Sequence, residues 1–291
     1  MPNRKWLSLF MLLGCQARPP MATTPEHAAP PLQGALEGTH GGRAPGTAQP
    51  GVTSDCGDYS ITTQGPYQYL NNTWAQDKAK GPFQQCLITR KIAGKTQLGW
   101  TWNWPGYERL GFGEPQIIFG WKPWSDHSTT PLLPLRISDV RQLTVRYAVA
   151  TAHTGKAALS LSMFVTDSSK AAAPNPRAIV DEIVVWLDYP EHATPVGSRA
   201  AQLEVAGVGY ELWHTPNQGD RGDGIGWDLY YFKGPNQQRH GAIQVQPFLE
   251  SLLQKNLIGG DRFVASVQLG DELMSGSGTT WVQDFAVVLN P

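Results

Sequence analysis

The chain has 291 residues, 41% of them hydrophobic, which is enough to enclose a substantial core and excludes disorder throughout. Charged residues make up only 16%, and Lys+Arg 23 against Asp+Glu 24 leave a net charge of -1, so nucleic acid bound by bulk charge is excluded as a partner. Aromatics at 10%, including 11 Trp, together with Gly 31 and Pro 23, suit an all-β domain with an aromatic binding surface better than long helices.

Arg4 and Lys5 precede an apolar run over residues 6–13, followed by Gly14-Cys15. A charged region, a short hydrophobic region and a small residue before a processing site read as an export signal, and the run is too short to span a bilayer. Leu12-Leu13-Gly14-Cys15 resembles a bacterial lipoprotein box, in which the cysteine carries lipid and becomes the new N terminus. The plainer alternative is an ordinary secretory signal. Residues 1–15 are accordingly read as a lipoprotein signal peptide, and residues 16–54, rich in Ala, Pro, Gly and Thr, as a flexible tether to a domain at 55–291. The protein is expected to be exported and anchored to the bacterial membrane through Cys15, in the periplasm or at the cell surface, or else secreted. With Cys15 spent on lipid, Cys56 and Cys86 remain. An oxidising compartment favours joining them, two buried free thiols being the alternative. No His-Glu-x-x-His or Cys-x-x-Cys spacing occurs, and three cysteines cannot form a Cys-only zinc site, so neither a metal nor another cofactor is expected.

Beyond Cys56, short stretches of β-branched and aromatic residues alternate with Gly, Pro, Asn and Asp turns at the spacing of a sandwich or barrel. Strands are predicted over residues 67–74, 83–92, 97–104, 140–150, 157–165, 179–187, 202–213, 226–232, 263–269 and 279–288. A single helix is predicted from Pro247, tolerated in a first turn, with Phe248, Leu249, Leu252, Leu253 and Leu257 as its apolar face and Gly259-Gly260 as its stop. The expected architecture is an antiparallel sandwich carrying one packed helix. No internal repeat is evident.

Within the stretch 179–187, period-2 alternation places Ile183, Val185 and Leu187 on one face and Glu182, Val184 and Trp186 on the other. An acid two places from a tryptophan on one strand face suits a cleft in which a sugar stacks beside a carboxylate; an exposed strand residue is the plainer reading of Glu182 alone. A second acidic site follows the strand at 263–269, where Gly270 leads into Asp271 and Glu272. Counting from Gln268, Glu272 shares its face. Glycoside hydrolysis needs two carboxyl groups flanking one bond, and two strands of one sheet can supply them. Unrelated surface acids would satisfy the same pattern.

Several segments in order turn this pattern into a resemblance. They are Asn71-Asn72-Thr73-Trp74, Gln85-Cys86-Leu87, Trp102-Asn103-Trp104-Pro105, Ser138-Asp139-Val140, the run from Glu182 to Leu187, Pro195-Val196-Gly197-Ser198, Val205-Ala206-Gly207, Tyr210-Glu211-Leu212-Trp213, and Gly270-Asp271-Glu272 before Gly276. Together they resemble glycoside hydrolase family 12, β-jelly-roll endoglucanases and xyloglucanases with a retaining mechanism. The resemblance covers nearly all of the chain after Cys56. It implies a jelly-roll sandwich of two antiparallel sheets with a concave cleft, acting as a monomer on a β-linked polysaccharide substrate. It further implies Glu182 as nucleophile, Glu272 as general acid/base, Asn72 and Trp74 in the sugar-binding cleft, Trp186 beside the nucleophile, and a Cys56–Cys86 disulfide. A related xylanase and a non-catalytic carbohydrate-binding module are the alternatives.

The family's aspartate beside the nucleophile has no counterpart in Leu159-Ser160-Leu161-Ser162-Met163-Phe164; Ser162 takes its place. A serine can donate a hydrogen bond to Glu182 but brings no charge, so a shifted pH optimum is expected. Val184 replaces the methionine common two residues after the nucleophile, and Ala75 the glycine common after Trp74. Among the remaining aromatics, Trp100, Trp102 and Trp104 alternate on one face, while Trp121 and Trp124 lie in a Gly/Pro-bounded loop. Some should stack on sugar rings and others belong to the core. Trp104 and Trp121 are assigned to the substrate, with Asn72, Trp74, Trp186 and Ser162. Gly219-Asp220-Arg221-Gly222-Asp223-Gly224 lacks the ligand spacing of a calcium loop and reads as a turn.

Overall fold

The computed structural model describes residues 51–105, 113–219 and 225–290. The export signal with Cys15, nearly all of the predicted tether and the 220–224 turn lie outside the described residues. Strands run over Val52–Asp55 (β1), Ile61–Gln64 (β2), Tyr67–Leu70 (β3), Gln84–Ile92 (β4), Lys95–Trp104 (β5), Gln116–Gly120 (β6), Leu135–Arg136 (β7), Gln142–Thr166 (β8), Ile179–Asp188 (β9), Ser198–Val205 (β10), Val208–Gln218 (β11), Trp227–Lys233 (β12), His240–Gln244 (β13) and Phe263–Asn290 (β14), with one α-helix, α1, at Gln246–Gln254. β1 begins inside the segment read as tether, where it pairs with β4.

Two layers follow from the pairing. One sheet runs in the order β2, β3, β6, β14, β8, β9, β12, β11, β10; the other runs β1, β4, β5, β14, β8, β13. β8 and β14 pair with each other along nearly their whole length and belong to both layers. At the corner Gly155 lies opposite Gly276, both with positive φ (84° and 93°). A Cβ on Gly155 would stand 2.4 Å from the Ser275 carbonyl oxygen, and one on Gly276 2.1 Å from that of Thr154. Only glycine lets the two backbones approach so closely while they turn from one sheet into the other. This is why each long strand reads as two in the sequence: its middle lacks the side chains that signal a strand.

A two-residue turn hides one hairpin in a similar way. Ala206-Gly207 and Ala93-Gly94 both take two successive positive φ values, joining β10 to β11 and β4 to β5. With alanine in place of Asn or Asp at the first position, the turn signal is weak, and 202–213 reads as one strand where the molecule has two. Among the described residues all pairings are antiparallel except β9 with β12, which the β10–β11 hairpin separates in sequence. α1 stops at Gln254, short of the predicted end, and Leu257 caps its last turn through its N–H to the Leu252 carbonyl (3.0 Å).

The layers meet over one apolar core. Ile183, Val185 and Leu187 of β9, Leu161, Met163 and Val165 of β8 and Val267 and Leu269 of β14 face it from the first sheet. Trp100, Trp102 and Trp104 of β5 face it from the second. Phe248 of α1 meets Tyr210 and Phe232 edge-on, at ring centroid distances of 5.2 and 5.0 Å, so the helix covers the core side of β11 and β12. Each such large side chain taken fully out of water contributes roughly 1.5–3 kcal/mol. The opposite face of the first sheet is left as a concave wall. Cys56 and Cys86 form a disulfide that ties the segment before β2 to β4.

Candidate active site

Alternation along β9 turns Glu182, Val184 and Trp186 to the concave wall, because their neighbours are committed to the core. On β12 the same rule presents Trp227, Leu229 and Tyr231, with Leu229 beside Glu182 and Tyr231 beside Val184. β14 adds Gln268 and Glu272, whereas Asp271 points into the sandwich. There its Oδ2 accepts from Trp100 Nε1 and from Thr280 Oγ1, both at 2.7 Å. One pocket is lined by Asn72, Trp74, Glu182, Trp186, Tyr231 and Glu272, with Glu114, Lys122 and Trp227 on the same wall.

Each of the two acids has its own donors. Trp227 Nε1–H donates to Glu182 Oε2 at 2.9 Å. Trp186 Nε1–H donates to Glu272 Oε1 at 3.1 Å, and the Tyr231 hydroxyl donates to Glu272 Oε2 at 3.2 Å. The aromatic packing behind these donors holds them in place. Trp227 meets Phe164 and Trp124 edge-on at 6.2 and 6.1 Å, and Trp186 meets Tyr231 at 5.6 Å.

Both carboxyls are partly open to the cleft mouth and surrounded by protein elsewhere. Burial pushes Glu182 up to about 7; repulsion from Glu114 adds to this, while the Trp227 bond and Lys122 act against it. Burial pushes Glu272 up to about 8, with repulsion from Glu114 and Glu182 adding and the Trp186 and Tyr231 bonds opposing. Burial likewise raises Glu114 and lowers Lys122. Both acids are thus raised from the ordinary carboxylate range, with one aromatic donor on Glu182 and two on Glu272.

The molecule does not place every expected residue in this pocket. Trp104 is sealed in the core, stacked on Phe83 at 4.4 Å and donating from Nε1 to Gln85 Oε1 at 3.2 Å, so it offers no face to a sugar. Trp121 is fully buried behind the wall with Trp124, Phe164 and Trp227, its Nε1–H bound to the Ser125 carbonyl at 2.9 Å. Ser162 is buried opposite Val184, and the donor that reaches Glu182 is Trp227. Trp186 lies on the wall as expected, but its polar contact is to Glu272. Ala75 adopts φ 59°, the left-handed region in which glycine is favoured, which accounts for the glycine expected there. Trp227 and Tyr231 were legible as alternate positions of a strand; nothing local marks Glu114 and Lys122 as part of a site.

The model of the glycosyl hydrolase family 12 matches residues 65–290. The chain belongs to this family. It is therefore a glycoside hydrolase. Among curated family relatives, Endoglucanase S of Pectobacterium parmentieri is 24% identical over 226 residues, spanning 76% of this chain and 81% of the relative. A probable xyloglucan-specific endo-beta-1,4-glucanase A of Aspergillus clavatus is 25% identical over 233 residues, spanning 78% and 87%. Among solved structures, the native family 12 xyloglucanase from Bacillus licheniformis superposes with a TM-score of 0.73 at 22% identity, covering 82% of this chain and 100% of the other. The family's jelly-roll fold is thus the fold of this chain.

Proposed function

We propose that this family 12 hydrolase is an endo-acting β-1,4-glucanase that cleaves soluble β-glucan or xyloglucan with retention of anomeric configuration. The single observation that carries this reading is the presence of Glu182 and Glu272 on one open pocket, each held by its own aromatic donors. Two of its relatives, named as an endoglucanase and as a probable xyloglucan-specific glucanase, support the substrate class.

In the first step Glu272, in its acid form, gives its proton to the glycosidic oxygen as a Glu182 oxygen bonds to the anomeric carbon. The bond to the leaving sugar breaks and a glycosyl ester forms on Glu182. In the second step Glu272, now a carboxylate, takes a proton from water, whose oxygen bonds to the same carbon. The ester bond breaks and Glu182 leaves as carboxylate, so each cycle consumes one water and returns both acids to their starting forms. Trp186 and Tyr231 hold the Glu272 oxygens, Trp227 holds Glu182, and Asn72 and Trp74 supply polar and stacking contacts to the sugars.

Release of new reducing ends from soluble β-glucan and xyloglucan tests this reading. Glu182→Gln and Glu272→Gln should each lower the rate by about 10³-fold or more, with wild type giving the retained anomer first in NMR of the initial product. A carbohydrate-binding module would instead bind the polymer and release nothing.

A further inference from the structure

A third carboxylate, unused in the reaction above, stands directly across from Glu272. β6 and β14 pair in register from Ser266 opposite Gly120 to Gly270 opposite Gln116. The ladder continues beyond the strand: Asp271 N–H donates to the Pro115 carbonyl and Leu273 N–H to the Gly113 carbonyl, each at 3.2 Å. These two bonds bracket Glu272 and Glu114 and make them an opposed pair of the non-hydrogen-bonded kind, in which side chains share a face and lie closest. From its other edge the Gly113–Glu114 backbone is held by Glu114 N–H to the Asn72 carbonyl (2.8 Å) and Gly113 N–H to that of Trp74 (3.1 Å). Glu114 is therefore fixed between two substrate-cleft elements. Like charges placed directly opposite destabilise a sheet, so the pair favours the form in which one of the two carboxyls carries a proton.

A cation is built into the same wall. Lys122, buried just after β6, brings Nζ to 3.3 Å from Gln268 Oε1 and to 5.7 Å from the Phe164 ring centroid. Its position in the pocket gives the cleft three carboxyls and one ammonium. We propose that Glu114 and Lys122 are positioning residues acting through charge: Glu114 keeps Glu272 in its acid form, and Lys122 keeps Glu182 ionised. This rests on the roles given to Glu182 and Glu272 above. The titratable groups facing Glu272 are Glu114 from the segment before β6, Glu182 from β9 and Tyr231 from β12. Those facing Glu182 are Glu114, Lys122 and Tyr231. Among the charges acting on either acid, Glu114 has the largest effect.

The pH dependence of kcat/KM on soluble β-glucan tests the proposal. Glu114→Gln should move the alkaline limb to lower pH by about one unit and the acid limb in the same direction, because Glu114 also acts on Glu182; Glu114→Asp should restore both, and Lys122→Met should move the acid limb to higher pH by a similar amount. A Glu114→Gln profile that coincides with wild type overturns the proposal, as does a Lys122→Met shift in the opposite direction. A second readout needs no catalysis. Because burial raises Glu114, and burial with repulsion from Glu114 raises Glu272, stability is lost as pH rises through the folded values, and removing Glu114 removes part of that loss. Glu114→Gln should therefore raise Tm at about pH 9 and change it less at about pH 5. A lower Tm at both would make Glu114 a packing residue and overturn the proposal. A wild-type protein that releases no reducing ends would refute the glucanase reading instead, and the melting comparison would still decide the charge pairing.

Discussion

Glu182 and Glu272 must hold opposite protonation states for the proposed reaction, and burial with repulsion from Glu114 raises both from the ordinary carboxylate range. Glu182 must be ionised and lies near 7; Glu272 must be protonated and lies near 8. The two share one cleft and titrate as a coupled pair, so kcat/KM should rise through about 7 and fall through about 8, a bell whose limbs are read from initial rates across pH. A maximum well inside the acidic range would count against these surroundings. Ser162 had suggested a nucleophile relieved of repulsion by the missing aspartate. The repulsion comes instead from Glu114, which reaches the same acid from the segment before β6.

At the scale of elements, period-2 alternation accounts for most of what the cleft contains. On β9, β12 and β14 it separates Glu182, Tyr231 and Glu272 on the concave wall from Ile183, Phe232 and Val267 in the core. The same rule applied to β5 aligns three tryptophans on one face without saying whether that face meets sugar or core. The first sheet packs there, and all three are buried. A paired substitution separates the two fates. Trp104→Ala should cost about 3–5 kcal/mol in chemical denaturation, whereas Trp74→Ala should leave stability within about 1 kcal/mol and raise KM severalfold. Equal losses of stability would mean that Trp74, too, is a core residue.

For the molecule as a whole, the two long strands are the frame. β8 and β14 carry the chain from one layer to the other at the Gly155 and Gly276 corner and bring β9 and β6 to opposite flanks of the same cleft. The ends of the frame are secured differently. Cys56 and Cys86, 30 residues apart, close a loop in the first third of the domain, and a cross-link over that span restricts the unfolded chain. Replacing both by serine should cost about 3–4 kcal/mol in the chain-entropy model, measured by denaturant titration under oxidising conditions. A loss under about 1 kcal/mol would place the stabilisation in the β1–β4 pairing instead.

The sequence by itself determined the family, the all-β architecture, the single helix, the two acids and the faces they occupy. Each of these is written in short motifs or in the alternation of one strand, where neighbours along the chain are neighbours in space. Only the tertiary structure decided that Trp104 and Trp121 are buried, that Trp227 and not Ser162 binds Glu182, and that Glu114 stands opposite Glu272. Those facts depend on the register between segments far apart along the chain, and on which sheet covers which face. Local patterning carries no record of either.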